Sequence, residues 1–277
     1  MALENTPMSG IAPNGDSKLS TWRGRISFID LMQSVGLLAV ILLGSAIMSV
    51  LSPVFATVRN IENVLQAATI IAVVAIGQTF VILVAGIDLS VASVLVLSSV
   101  LSVGLVEFQG FSPVVGVTVA LGAGLGLGLI NGLAVTKLRI PALIATLATM
   151  TIGRGLAYIY SGGTNIAPVP SFFVELQAAR IFGIPAVIVL TLALALIAQI
   201  LLSRTAFGRS VYATGGNPLA ARLAGINTER VVIIAFMISG LMAAIAGLLI
   251  TARFEAGAAT AAQGMELAVI AAVVIGG

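Results

Sequence analysis

The sequence predicts an all-α, polytopic membrane protein with about seven to eight transmembrane segments. Hydrophobic residues make up 59% of the 277 residues and charged residues only 8%, whereas a soluble domain carries roughly 25% charged residues. The mean hydropathy of +1.18 agrees with this class. The apolar residues also occur in runs of about 20, the length that an α-helix needs to cross the hydrocarbon core.

Residues 1–26 precede the first apolar run and differ from it in composition. Proline, glycine and asparagine interrupt any periodicity there, and three basic residues follow. This pattern predicts a flexible cytoplasmic tail. It does not predict a cleavable signal peptide, because the apolar run starts too late. We expect residues 27–277 to form one transmembrane domain.

The apolar runs give the order of the predicted spans. They lie at 32–51, 64–85, 90–107, 113–136, 141–160, 184–203 and 231–252, and an eighth begins near Gly264. The second and third share one stretch that is about twice the length of a single crossing, so we predict a hairpin that turns through Gly86-Ile87-Asp88. Because the chain stops at Gly277, inside the eighth run, we expect a truncated chain or a re-entrant last segment.

The basic residues predict the orientation of the chain. With the N-terminus in the cytoplasm, nine of them fall on the inside: Lys18, Arg23, Arg25, Lys137, Arg139, Arg204, Arg209, Arg222 and Arg230. Three fall outside, at Arg59, Arg180 and Arg253, and Arg154 is left within a span. An excess of Lys and Arg marks cytoplasmic loops, and the opposite orientation would invert this ratio.

The composition also excludes several functions. The absence of His and Cys removes imidazole bases, thiol nucleophiles and the usual zinc ligands, so we predict no catalytic residues, no metal site and no cofactor. The two lysines, Lys18 and Lys137, do not end a phosphate-binding loop, so any ATP would be hydrolysed by another polypeptide. The basic residues are scattered between apolar runs, which argues against nucleic-acid binding.

Glycines recur at every fourth position in the fourth span. Gly124, Gly128 and Gly132 lie on one helix face, where the lack of side chains allows close approach of another helix. Two interpretations are open for this face: packing against a helix of the same chain, or a dimer interface.

Polar residues within the spans are candidates for a transport pathway, because such groups are costly in a membrane. The candidates are Gln78, Thr79, Asp88, Asn131, Thr146, Thr149 and Arg154, with Thr151 as a further neutral group. Each has a structural alternative: Asp88 marks a helix end or caps the next helix, Arg154 snorkels or bonds another helix, and the others bond their own or a neighbouring helix. Asp88 is the only carboxylate away from predicted loops and ends, which argues against ion-coupled transport.

A long loop, 204–230, contains a short predicted helix. Asn217 suits the N-cap, Pro218 the first helical position and Gly225 the C-terminal stop. Two helical turns are not stable alone in water. The helix therefore docks on the membrane surface or its own bundle, or on a cytoplasmic partner.

The same loop carries the pattern FGR-x-VYA-x-GGN-x-x-AARL-x-GI. It resembles the corresponding stretch of ribose-type permeases, the membrane subunits of bacterial ATP-binding cassette sugar importers. Segments 77–90, 128–147 and 263–277 resemble the same family, so the resemblance covers about 60–277.

The resemblance implies a permease subunit in the inner membrane that forms the pathway for a monosaccharide such as ribose. Implied partners are a cytoplasmic ATP-binding subunit, a periplasmic sugar-binding protein, a second permease subunit (a homodimer or a paralogue) and membrane lipid. It also implies ATPase-coupling residues: Gly215, Gly216, Asn217, Pro218, Ala220, Ala221, Arg222, Leu223 and Gly225. The alternative is a stand-alone secondary transporter or facilitator of a small polar solute.

Overall fold

The structure is a computed structural model that describes residues 28–276, so the flexible tail expected at 1–26 lies outside the described residues. The described elements are α1 Phe28–Leu51, α2 Val58–Leu83, α3 Val91–Glu107, α4 Pro113–Thr136, α5 Ala142–Ser161, α6 Ser171–Ala178, β1 Arg180–Ile181, β2 Ile184–Pro185, α7 Ala186–Arg204, α8 Ala206–Gly216, α9 Pro218–Leu223, α10 Thr228–Phe254 and α11 Met265–Gly276. They fall into two compact units: α1 belongs to the first, and the second begins at Val58.

The all-α membrane class is confirmed. Within the described residues, five helices are long and apolar enough to cross a membrane, namely α2, α4, α5, α7 and α10. The apolar part of α1, together with α3 and α11, is apolar but shorter. Each predicted span coincides with one of these helices, but α6, α8 and the β1–β2 hairpin were not predicted, because they are too short to produce a long apolar run.

Helix α3 lies at the centre of the second unit. It is buried along most of its length and packs against α4, α5 and α10. A helix that is apolar on all sides is expected in such a position. Its serine hydroxyls are satisfied internally: Ser98 donates to the Ala120 carbonyl at 3.1 Å, and Ser99 bonds the Thr251 hydroxyl at 2.7 Å.

The glycine face of α4 packs against α10 of the same chain. A Cβ at Gly124 would overlap the Gly240 carbonyl oxygen, and a Cβ at Gly132 would lie 2.8 Å from the Cα of Ile233. The interpretation as helix packing within one chain is therefore confirmed for this face, and the dimer interpretation is wrong for it. On the opposite side of α4, a Cβ at Gly126 would meet open space.

A bidentate ion pair fixes the β1–β2 hairpin to the start of α2. The two terminal nitrogens of Arg180 donate to the two carboxylate oxygens of Glu62 at 2.9 and 2.8 Å. This hydrogen bond raises the pKa of Arg180. Arg253, at the end of α10, lies at the same end of the unit and donates to the Asn63 carbonyl at 3.4 Å.

The predicted hairpin between the second and third spans is confirmed, since α2 ends at Leu83 and α3 begins at Val91. Its turn is covered by α8: Gly215 lies so close to the Leu83 carbonyl oxygen that a Cβ would overlap it. From there the chain passes Ala85, which has a positive φ of 61°, and returns into the bundle. The turn therefore carries its polar residues inward.

Candidate functional site

The carboxylate of Asp88 is fully buried in this turn. Oδ1 accepts hydrogen bonds from the backbone N–H and the hydroxyl of Ser90, at 2.9 and 2.6 Å. Oδ2 accepts from the Ser239 hydroxyl of α10 at 2.8 Å. No basic side chain among the described residues forms an ion pair with it. Three hydroxyl and amide donors thus replace the water that a carboxylate would otherwise bind.

Gln78 of α2 holds the backbone of the same residue. With its amide oriented to satisfy both groups, the Gln78 nitrogen donates to the Asp88 carbonyl at 3.1 Å and its oxygen accepts from the Asp88 N–H at 3.2 Å. The turn breaks the helical hydrogen bonding of the backbone, and a buried peptide group without a partner is costly. Gln78 therefore explains how this turn is tolerated inside the bundle.

Asn131 of α4 extends the hydrogen bonds to two more helices. Its amide nitrogen donates to the Ser90 hydroxyl at 2.9 Å, and its oxygen accepts from the Thr149 hydroxyl of α5. Thr146, one turn earlier on α5, lies within 3.2 Å of the Ile87 carbonyl. The donors run from Thr149 through Asn131 and Ser90 to the Asp88 carboxylate, so each bond polarises the next.

We call these seven residues the Asp88 network: Gln78, Asp88, Ser90, Asn131, Thr146, Thr149 and Ser239. The network joins α2, α4, α5 and α10 to the turn that precedes α3. All of its members are buried. Five of the seven predicted pathway residues are therefore brought together in one place.

Thr79 and Arg154 lie apart from the network. The Thr79 hydroxyl bonds its own helix at the Ala75 carbonyl, and the residue borders an apolar groove between α2 and α11. Arg154 is partly buried, and its Nη2 lies 3.5 Å from the Ala262 carbonyl. This contact agrees with the structural interpretation of Arg154, a hydrogen bond to another segment.

Sequence reasoning missed Ser90 and Ser239. Ser90 stands just before α3, where serine is a common residue, and Ser239 lies within α10, where a serine hydroxyl readily bonds the carbonyl one turn earlier. The Ser239 hydroxyl instead bonds a residue 151 positions away in the sequence. Only the tertiary structure shows that pairing.

The helix predicted in the long loop is present as α9. The Asn217 side chain accepts from the Ala220 N–H at 3.0 Å, as expected of an N-cap, and Gly225 has a positive φ of 84° after the helix ends. Ala221 is buried against the bundle. Leu219 and Leu223 are 69% and 83% exposed, so α9 turns an apolar edge outward.

Arg222 of α9 faces the bundle through its guanidinium. Its Nε donates to the Thr228 hydroxyl at the start of α10, at 2.7 Å. Beside it, Lys137 at the end of α4 pairs with Glu229. Of the other predicted coupling residues, Gly215 packs on the end of α2, whereas Gly216 faces open space.

These features define a polytopic membrane protein whose buried polar groups are bonded to one another, with no cluster of metal-ligating side chains among the described residues. The chain belongs to the family described as "Branched-chain amino acid transport system / permease component", whose profile matches residues 60–277. It is therefore a permease component of a transport system and not an enzyme.

The names of individual relatives give a narrower function than the family description does. The chain is 39% identical to the ribose import permease protein RbsC of Escherichia coli K12 over 254 residues, which cover 89% of this chain and 78% of the relative. It is 39% identical to RbsC of Bacillus subtilis 168 over 263 residues, 94% and 81% of the two chains. Identity to the L-arabinose transport system permease protein AraH of Escherichia coli K12 is 39% over 270 residues, 98% and 81%. No solved structure gives a significant match.

Proposed function

We propose that this chain is the permease subunit of an ATP-binding cassette importer and forms the transmembrane pathway for a monosaccharide such as ribose or L-arabinose. This proposal rests on the 39% identity of the chain to ribose and L-arabinose permeases over most of its length. The family description names amino acids, whereas the individual relatives are named for ribose and L-arabinose. Because these relatives match most of the chain, they favour a sugar over an amino acid.

The proposed topology has seven full crossings, an eighth segment at α11 and a cytoplasmic N-terminus in the inner membrane. Basic residues at the α8–α9 end of the bundle support it: Lys137 pairs with Glu229, and Arg139 and Arg222 line a cavity beside that residue. Arg180 and Arg253 lie together near the opposite end of α2. The α8–α9 end is then cytoplasmic by the positive-inside rule.

Helix α9 is the proposed contact with the ATP-binding subunit. Its buried residue, Ala221, attaches it to the permease, while Leu219 and Leu223 present an exposed apolar edge with a spacing of four residues. Such a spacing places both side chains on one helix face, as in helices that bind in a groove. The residues from Gly215 to Gly225 would transmit the movement of the ATPase to the bundle.

The Asp88 network is the proposed border of the sugar pathway. Its amide, carboxylate and hydroxyl groups are of the kinds that bond sugar hydroxyls, but all are buried in the conformation described. The pathway would therefore open when the turn at 84–90 separates from α4 or α5. The complete transporter would include a second permease subunit and a periplasmic sugar-binding protein.

Co-purification tests the coupling role. The tagged chain is expressed together with the products of its neighbouring genes, either unchanged or with both Leu219→Gln and Leu223→Gln. We expect the ATPase to bind the unchanged chain and to be lost with the double variant, whereas Arg209→Gln, an exposed control on α8, retains it. If no ATPase binds a correctly folded chain, the stand-alone transporter becomes the better interpretation.

Uptake tests the substrate class separately. Cells that lack their own ribose, L-arabinose and branched-chain amino acid importers receive this gene with its genomic neighbours, and uptake of each labelled solute is measured. We expect uptake of a pentose and not of leucine. Leucine uptake alone would contradict the sugar assignment and leave the permease assignment standing.

A further inference from the structure

A cavity of about 320 Å³ lies between the end of α4, helix α9 and the start of α10. One liquid water occupies about 30 Å³, so the cavity has room for a hydrated ionic group. Its apolar walls include Val84, Val135 and Val232, and its polar lining includes Arg139 and Arg222. It lies on the side of α9 that faces the bundle, away from the exposed leucines.

The cavity carries excess positive charge. The carboxylate of Glu229 also lines it, but that group is paired with Lys137. Among the described residues, neither Arg139 nor Arg222 has a carboxylate oxygen within 4.0 Å. Arg222 uses its Nε on Thr228. Guanidinium groups with free donors are well suited to bind phosphate oxygens.

One buried hydroxyl in the lining has no partner. Thr214 of α8 is 3% exposed, and its Oγ1 makes no hydrogen bond. Thr136, in the same lining, instead donates to the Gly132 carbonyl of its own helix at 2.7 Å. A buried hydroxyl without a partner is costly, so Thr214 has a hydrogen-bond donor left over at the wall of this cavity.

We propose that this cavity binds a phosphate group, supplied by the headgroup of an anionic phospholipid. Arg139 and Arg222 would hold the phosphate charge and Thr214 would donate to it. Both α4 and α10 are candidate membrane-crossing helices, and basic pockets between such helices on the cytoplasmic side bind anionic headgroups. The site depends on the proposed topology but not on the identity of the sugar.

The surroundings favour lipid over free phosphate. Leu138, next to Arg139, is 70% exposed at the end of α4, where an acyl chain or glycerol backbone would cover it. The three valines of the lining cannot hydrogen-bond an inorganic ion, but they can pack against the apolar part of a lipid. The bound lipid would fasten α9 to α4 and α10 from the membrane side.

Native mass spectrometry of the purified full chain tests the proposal. The probes are dioleoylphosphatidylglycerol and dioleoylphosphatidylcholine, which share acyl chains, and inorganic phosphate is added as a competitor. We expect the anionic lipid to bind more tightly and Arg139→Gln to weaken it about fivefold. Thr214→Val should weaken it without lowering the thermal unfolding midpoint, because it removes an unpaired hydroxyl. Arg209→Gln, an exposed cationic control outside the lining, should bind as the unchanged chain does.

The outcomes separate the possible ligands. Competition by millimolar inorganic phosphate, with the same dependence on Arg139 and Thr214, would support the phosphate site and overturn its assignment to lipid. Equal binding of the two lipids, or equal weakening by Arg209→Gln, would overturn the site itself. Loss of the ATP-binding subunit from Arg139→Gln with unchanged lipid binding would instead show a protein contact and also overturn it. If Arg139→Gln fails to fold, the binding of the anionic lipid to Thr214→Val decides: unchanged binding would overturn the site.

Discussion

The glycine seam between α4 and α10 allows a quantitative test by Gly128→Ala. The added Cβ would overlap the Phe236 carbonyl oxygen and lie 2.9 Å from the Cα of Met237, against 3.4–4 Å for ordinary contact. Both obstacles are backbone atoms, which a side-chain rotation cannot relieve. The two helices would have to separate by about 1 Å to bring the Cβ to ordinary contact with that oxygen.

Overpacking of this kind costs about 1–3 kcal/mol. Alanine is the better helix former by about 1 kcal/mol, so the net loss of stability should be about 0–2 kcal/mol, and the difference from an alanine placed without overlap should be about 1–3 kcal/mol. In a chain of this size, each kcal/mol lowers the thermal unfolding midpoint by about 2–4 °C. The midpoint is measured on purified protein in mild detergent by fluorescence-detected size exclusion after heating.

Gly126→Ala is the matched control. It makes the same chemical change two positions earlier on the same helix, where a Cβ meets nothing within 4 Å. We expect its midpoint to stay unchanged or to rise slightly. Equal midpoints for the two variants would refute the close packing of α4 on α10.

Three further substitutions test other parts of the structure. Asn131→Leu removes the two bonds, to Ser90 and from Thr149, that join α4 to the Asp88 network, each worth about 0.5–1.5 kcal/mol. The unfolding midpoint should therefore fall below that of Thr151→Val, an exposed control whose hydroxyl bonds only its own helix. Asn217→Ala removes the cap of α9, worth about 1 kcal/mol, and should reduce ATPase co-purification, whereas Asn217→Asp, which also caps, should retain it. Arg222→Glu should uncouple transport from ATP hydrolysis while the bundle stays folded, because it breaks the bond to Thr228; normal uptake with normal ATPase association would contradict this role.

Much of the helical framework was predictable because membrane crossing imposes a length on apolar segments. The predicted span 113–136 has the same bounds as α4, and the caps of α9 at Asn217 and Gly225 are local signals that need no tertiary information. The hairpin turn at Asp88 was also predictable, because a charge interrupts a run too long for one crossing.

The remainder depends on contacts that are distant in sequence. The sequence left open whether the Gly128 face packs within the chain, because a small-residue face suits either partner. It also offered Gln78 and Thr79 as equal candidates, although adjacent residues on a helix point about 100° apart. Gln78 points to Asp88, whereas Thr79 points toward α11. The rotation of a helix about its own axis decides which of two adjacent residues points into a site. That rotation is set by packing against the other helices.

The arrangement around Asp88 has a consequence for any movement of the bundle. The Asp88 carboxylate accepts three bonds, one of them from Ser239 of α10, and the amide of Asn131 is bonded at both ends. A buried carboxylate that loses a hydrogen bond without a replacement is costly. A movement that separates α10 from this turn must therefore give Asp88 a new donor at the same moment. Water can be that donor, so separating these helices and wetting the space between them are one event.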